Sequence, residues 1–175
     1  MGAASCIIDA MDCDESFDRF VAAGRTPTFV VSARRGEKAD ACLVGFATQC
    51  SIEPRRFAVC LSTANRTYRI VAPGPTVLAV HRLRHGDDAV AAWFGGTTGD
   101  RVAPFGDYST TPGPDGVPLI DALPDRFVGR ETARLDVGDH VLIVVEPIEV
   151  HGDASGAPFT LGDASGIEPG HEAGG

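Results

Sequence analysis

Residues 45–68 read GFATQCSIEPRRFAVCLSTANRTY, with two polar clusters around a short apolar run. A strand that only fills a core needs neither Thr48, Gln49 and Ser51 at one end nor Ser62, Thr63, Asn65 and Thr67 at the other. The run RFAVCLS (residues 56–62) is apolar on both faces, which predicts a central strand covered on both sides. The first cluster reads as a Gly-containing loop just past a strand end. The second opens a helix over residues 65–72, and taken alone it reads as plain capping by Thr63 or Asn65. Together they flank one strand. Hydroxyls, an amide and one arginine at a helix start suit an anion, so a ligand with a phosphate and a planar polar head fits the pair.

Outward from this stretch the chain alternates short strands with turns. PTFVVSAR (27–34) and ACLVGFA (41–47) are β-branched or apolar runs around the turn GEKAD, a hairpin pattern. TVLAVHRL (76–83), RFVGRETARL (126–135) and HVLIVVEPIEV (140–150) are further strands, and residues 136–139 turn the last two. Phe17, Phe20 and Val21 recur at helical spacing over 15–23, with Asp14 or Ser16 to cap and Gly24 to stop. GDDAVAAWFGG (86–96) is a helix with acidic residues at its start. Residues 101–118 form a long Pro- and Gly-rich loop of the kind that carries function. Residues 151–175 hold seven glycines and no Lys or Arg, which predicts a mobile acidic tail with a short strand near 157–161. No regular βαβ alternation is present. Six or seven closely spaced strands fit a mainly β, antiparallel barrel with a few short flanking helices.

At 175 residues the chain is one domain with a real core. Its layout is an N-terminal extension (1–13), a domain (14–150) and the tail (151–175). A net charge of −9 argues against nucleic acid, which needs a basic face. No apolar run reaches membrane-span length, and the N-terminus lacks a basic start, so a cytoplasmic location is expected. Five cysteines without a C-x-x-C pair do not make a disulfide scaffold in a chain without an export signal, and Cys42 and Cys60 read as small core residues. The histidines show no zinc spacing, and His81 and His85, four apart, stand at a predicted strand rather than on a helix, too distant for a helical pair of ligands. There is no G-x-S-x-G elbow, no G-x-G-x-x-G and no Walker loop.

An ordered set of landmarks resembles the flavin reductase-like family, whose members bind FMN in a split β-barrel. TFVVSA resembles its opening strand, and LVGFATQCSIEP its small polar run ending in an acid and Pro. NRTYRIV, TVLAVHRL, AAWFGG and GDHVLIVVEPIEV then follow in the expected order. The resemblance implies an FMN-binding homodimer, with FAD as the larger alternative. It implies a reductase that passes a hydride from NADH or NADPH to flavin N5, with a monooxygenase as the partner that takes reduced flavin. By position, Gly45, Phe46, Ala47, Thr48 and Gln49 would lie along the isoalloxazine, and Cys50 and Ser51 toward the ribityl chain. Ser62, Asn65, Arg66 and Thr67 would hold the ribityl and phosphate end, and His81 and Phe94 would complete the pocket. His140 would sit catalytically near the nicotinamide or the flavin face. The family often has two serines at Gly45 and Phe46, a second Pro at Arg55 and Asn at His81. These departures leave open a changed flavin preference or a deazaflavin-dependent reductase, and the same pocket would equally serve a non-catalytic electron-transfer flavoprotein.

Overall fold

The computed structural model describes residues 10–96 and 103–167. After helix α1 (Ala10–Ala22), the strands are β1 (Phe29–Arg35), β2 (Lys38–Val44), β3 (Ala47–Ser51), β4 (Arg56–Ser62), β5 (Val77–Arg82), β6 (Thr110–Pro112), β7 (Pro118–Ile120), β8 (Arg126–Asp136) and β9 (His140–His151). Helix α2 (Arg66–Val71) follows β4, and α3 (Asp88–Gly96) follows β5. Seven strands form one antiparallel sheet in the order β2-β1-β5-β8-β9-β4-β3, and β6 and β7 pair separately.

The strand order itself forces curvature. β2 and β3 stand at opposite edges of the sheet, yet only Gly45 and Phe46 separate them in the chain. Six strand spacings in a flat sheet would put those edges about 29 Å apart. The three residue steps from Val44 to Ala47 reach about 11 Å at most. The sheet must therefore roll until its edges nearly meet. β2 and β3 do not pair, so the barrel stays split along this seam. Phe46 extends the ladder past β3 by accepting the Cys60 N–H at 2.9 Å.

Three apolar clusters follow among the described residues, the smallest of them Val77, Ala79, Val117, Leu119 and Val128. The rolled sheet encloses Val31, Val59, Leu61, Val80, Ile143 and Val145, joined by Ile70 and Val71 of α2. Outside it, α3 and the C-terminal segment cover β1 and β2 through Val30, Ala91, Phe94, Leu123 and Phe159.

Several expectations change. GFATQCS is no loop: residues 47–51 pair with β4 and form a short edge strand with a register shift between Gln49 and Ser51. Helix α1 begins earlier than expected, so Asp14 and Ser16 lie inside it, and Ser16 Oγ accepts from Arg19. The described part of the long loop is the β6–β7 hairpin plus an aromatic cluster, in which Tyr108 stands 5.5 Å from Phe94; residues 101 and 102 lie outside the described residues.

The tail is also corrected over residues 157–167. Pro27 bridges Thr160, Arg84 bridges Pro158, and Phe159 is fully buried. Burying such a ring is worth roughly 1.5–3 kcal/mol, enough to hold a short segment despite its glycines. Charge clamps the approach to it. Asp125 takes Arg84 at 2.8 Å and Arg82 at 3.2 Å, and hydrogen bonding from Arg84 leads in holding its carboxyl down at about 2. Arg82 also donates to the Ser155 and Gly156 carbonyls.

Candidate functional site

A cleft of about 290 Å³ opens where β4 ends and β9 begins. The ladder brings its polar residues together, because Ser62 pairs directly with His140. Ser62 and Asn65 are buried, and Asn65 is the N-cap residue just before α2. The backbone fixes this corner: Thr63 N–H and Oγ1 both donate to the Asp139 carbonyl, and Ser62 Oγ accepts from the Ala64 N–H. Neither expected cap operates. The Thr63 hydroxyl is used on Asp139, and the Asn65 amide makes no capping bond. Asn65 lines the cleft, so its amide is a donor and an acceptor available to a polar ligand group.

On the polar wall, His140 Nδ1 meets Asp139 Oδ1 at 2.7 Å, a hydrogen bond that lowers the Asp139 carboxyl below its ordinary value. The bond fixes the ring and leaves Nε2 without a partner among the described residues. Phe46, half exposed, stands over His140 with ring centroids 5.4 Å apart. The opposite wall is apolar: Leu43, Phe94, Leu161 and Ile167. Gly45 permits this arrangement, since a Cβ there would lie 2.6 Å from Leu161 Cδ1. Its role in the fold is thus close approach by the C-terminal segment.

Along the seam, β3 carries Ala47, Thr48, Gln49, Cys50 and Ser51. As the end strand of the sheet, it leaves one row of backbone N–H and C=O groups without strand partners. Thr48, Gln49 and Cys50 are exposed; Gln49 turns its amide back to the Ser51 carbonyl at 3.0 Å.

Of the candidates, Ser62, Asn65, Phe94 and His140 line the cleft; Gln49 lines a cavity at the other end of β4, and three more lie away from both cleft and seam. His81 is fully buried: Nδ1 donates to the Val30 carbonyl at 3.1 Å and Nε2 accepts the Ile120 N–H at 3.0 Å. Both ring nitrogens are used inside the fold, and burial pushes the imidazole down to about 4. Thr67 is fully buried with its hydroxyl toward the Cys42 thiol, which burial raises to about 12. Arg66 pairs through Nε with Asp40 at 3.2 Å and lines a different cleft with Arg69 and Lys38. Sequence reasoning also missed residues. Asp139 was visible as the neighbour of His140 in GDH, and Leu161 in APFTL, but the glycine content of the tail masked the latter.

The flavin reductase-like domain model matches residues 23–165. The chain belongs to this family. The match extends past β9 and covers the docked C-terminal segment as far as residue 165. Three solved structures share its fold. An FMN-binding protein from Thermus thermophilus with bound p-hydroxybenzaldehyde is 22% identical over 71% of this chain and 70% of its own, with a TM-score of 0.64. An NADH:FAD oxidoreductase from Streptomyces globisporus C-1027 is 20% identical, covering 83% and 86%, with a TM-score of 0.70. The styrene monooxygenase flavin reductase from Pseudomonas putida S12 is 22% identical, covering 82% and 90%, with a TM-score of 0.68. No curated protein matches the sequence significantly.

Proposed function

We propose that this flavin reductase-like domain is an NAD(P)H-dependent flavin reductase that binds FMN between the free edge of β3 and the cleft at the start of α2. The observation that carries the reading is the Asn65 amide, which makes no capping bond and lines the cleft, together with an unpartnered strand edge. The pyrimidine edge of a flavin alternates acceptor, donor and acceptor, and the N–H, C=O, N–H row of a free β edge is its complement. Ser62 and Asn65 would then hold the polar tail, while Phe46, Ala47, Thr48 and Cys50 flank the ring.

Bound flavin supplies the capacity to accept a hydride from reduced nicotinamide. This chain's residues bind, orient and exclude water. Donors on β3 favour negative charge on the ring edge they face. Asp139 holds the His140 ring, so that Nε2 is fixed to orient a carboxamide or ring edge. Leu161 and Ile167 keep one side of the cleft dry.

A homodimer is part of this reading. On β9, the residues alternate with the core set, and Leu142 and Val144 point away from it beside Leu135 and Ala133 of β8. Leu135 is largely exposed, as are Val137 and Ile52. An apolar sheet face of this kind suits a second copy. A monooxygenase that consumes reduced flavin is the partner class implied.

The test is steady-state oxidation of NADH and of NADPH with added FMN, together with FMN titration. Saturable FMN-dependent oxidation is expected, and Asn65→Ala should weaken FMN about tenfold through loss of one polar contact. FMN that binds without nicotinamide oxidation would leave a carrier. No FMN binding, or an Asn65→Ala variant with unchanged affinity, contradicts the site.

A further inference from the structure

The far end of the barrel holds a second cavity. Along the β4–β9 ladder, Ser62 and His140 mark the cleft described above, and Phe57 and Val145 lie five residues away, about 17 Å along the strands. There, Phe57 packs edge-on against Phe29 and Phe127, with centroid distances of 5.5 and 5.1 Å. Above these rings lies a cavity of about 340 Å³, floored by them and by Val80. Four arginines line it: Arg55, Arg56, Arg82 and Arg126. In a chain of net charge −9 this is a local reversal of sign.

Their partners account for only part of that charge. Arg82 is held by Asp125, the one carboxylate lining the cavity, which Arg84 shares. Arg56 meets Glu146 at 3.0 Å. Arg126 donates through Nη1 to the Leu123 carbonyl at 3.2 Å, but its Nε is buried with no hydrogen-bond partner. Arg55 has no side-chain partner among the described residues. His151 on the rim is bonded to Glu149. Two guanidiniums with unused donors therefore stand over an aromatic floor, and an unpaired buried N–H is a standing cost that an acceptor would remove.

We propose that this cavity binds a small organic anion, an aromatic or short-chain carboxylate. Its apolar body rests on Phe57 and Phe127, and its carboxylate takes the free donors of Arg55 and Arg126. The volume is at the small end for ligand pockets, roughly 300–1,000 Å³, which suits such a molecule better than a dinucleotide. A guanidinium fork matches a carboxylate, and the rings supply apolar contact.

The probe is 2-naphthoate, titrated calorimetrically onto the full chain, with 2-naphthalenemethanol as its neutral twin. Naphthoate should saturate one site per chain, and the alcohol should bind about tenfold more weakly or worse, because charge-assisted bonds are lost. Arg55→Gln, at an exposed position, should weaken naphthoate about tenfold with the melting temperature unchanged. Arg126→Gln should weaken it further. Saturating FMN should leave naphthoate affinity unchanged. The proposal is overturned by absence of saturable binding, by equal affinity for the alcohol, or by an Arg55→Gln variant that binds as the parent does. Competition by FMN also overturns it, since that outcome places the probe in the flavin cleft. Failure of FMN to bind at all bears on the cleft alone.

Discussion

His81 is a histidine whose chemistry is used up by the fold. One nitrogen donates, the other accepts, and the ring has no contact with water. Its folded pKa of about 4 lies below the ordinary 6.5, so the neutral ring is what the fold prefers. A depressed pKa contributes stability that is present above the unfolded value and is lost as pH falls through the folded one. Unfolding free energy should therefore fall between about pH 6.5 and pH 4, by about 3 kcal/mol if the whole shift is expressed. Denaturant melts across that range check this. His81→Asn keeps one donor and one acceptor without a titrating ring, so it should flatten that part of the profile; an unchanged slope would show that other groups produce it. His140 presents the opposite case, with one nitrogen held by Asp139 and the other free. His140→Ala should slow flavin reduction about tenfold to a hundredfold while FMN affinity and melting temperature hold. Unchanged reduction rates with both NADH and NADPH would leave His140 as a hairpin residue only.

At the scale of elements, the C-terminal segment is the part the sequence hid. A run with seven glycines and no basic residue resembles a solvated tail, and periodicity has no purchase on an extended strip that docks by one ring. Phe159 decides the matter. Phe159→Ala should cost about 3–5 kcal/mol, as for other buried aromatics, and should weaken FMN, because Leu161 and Ile167 would lose their anchor. Equal stability of variant and parent by denaturant melts would show that the segment is not docked in solution. β3 was hidden for a related reason: five mostly polar residues on an edge have no apolar alternation to read. The β1–β2 hairpin, β4, α2, β5, α3 and the β8–β9 hairpin were legible, because apolar runs and turn residues mark each one. Among the residues lining the candidate cleft, Ser62 and Asn65 stood out by residue type, while His140 and Phe94 entered only through the family resemblance. His81 and Thr67 were misplaced because strand and helix patterns do not tell which face a polar side chain takes when both faces are covered.

For the whole molecule, the seam between β2 and β3 creates both the curl of the sheet and the free edge beside the cleft. The apolar outer face of β8 and β9 should be covered by a second copy. Light scattering after gel filtration should give twice the chain mass, and Leu135→Glu should give the single-chain mass; a parent protein that runs as one chain contradicts the dimer. On the proposed reading this edge and cleft hold flavin for reduction by nicotinamide. Anaerobic mixing of the FMN-loaded protein with NADH or NADPH in a stopped-flow instrument, read at the visible absorbance of oxidised flavin, tests it most directly. That absorbance should be lost at a rate that saturates with one of the two donors and far exceeds the rate with free FMN. Reduction no faster than that of free FMN with either donor would contradict it.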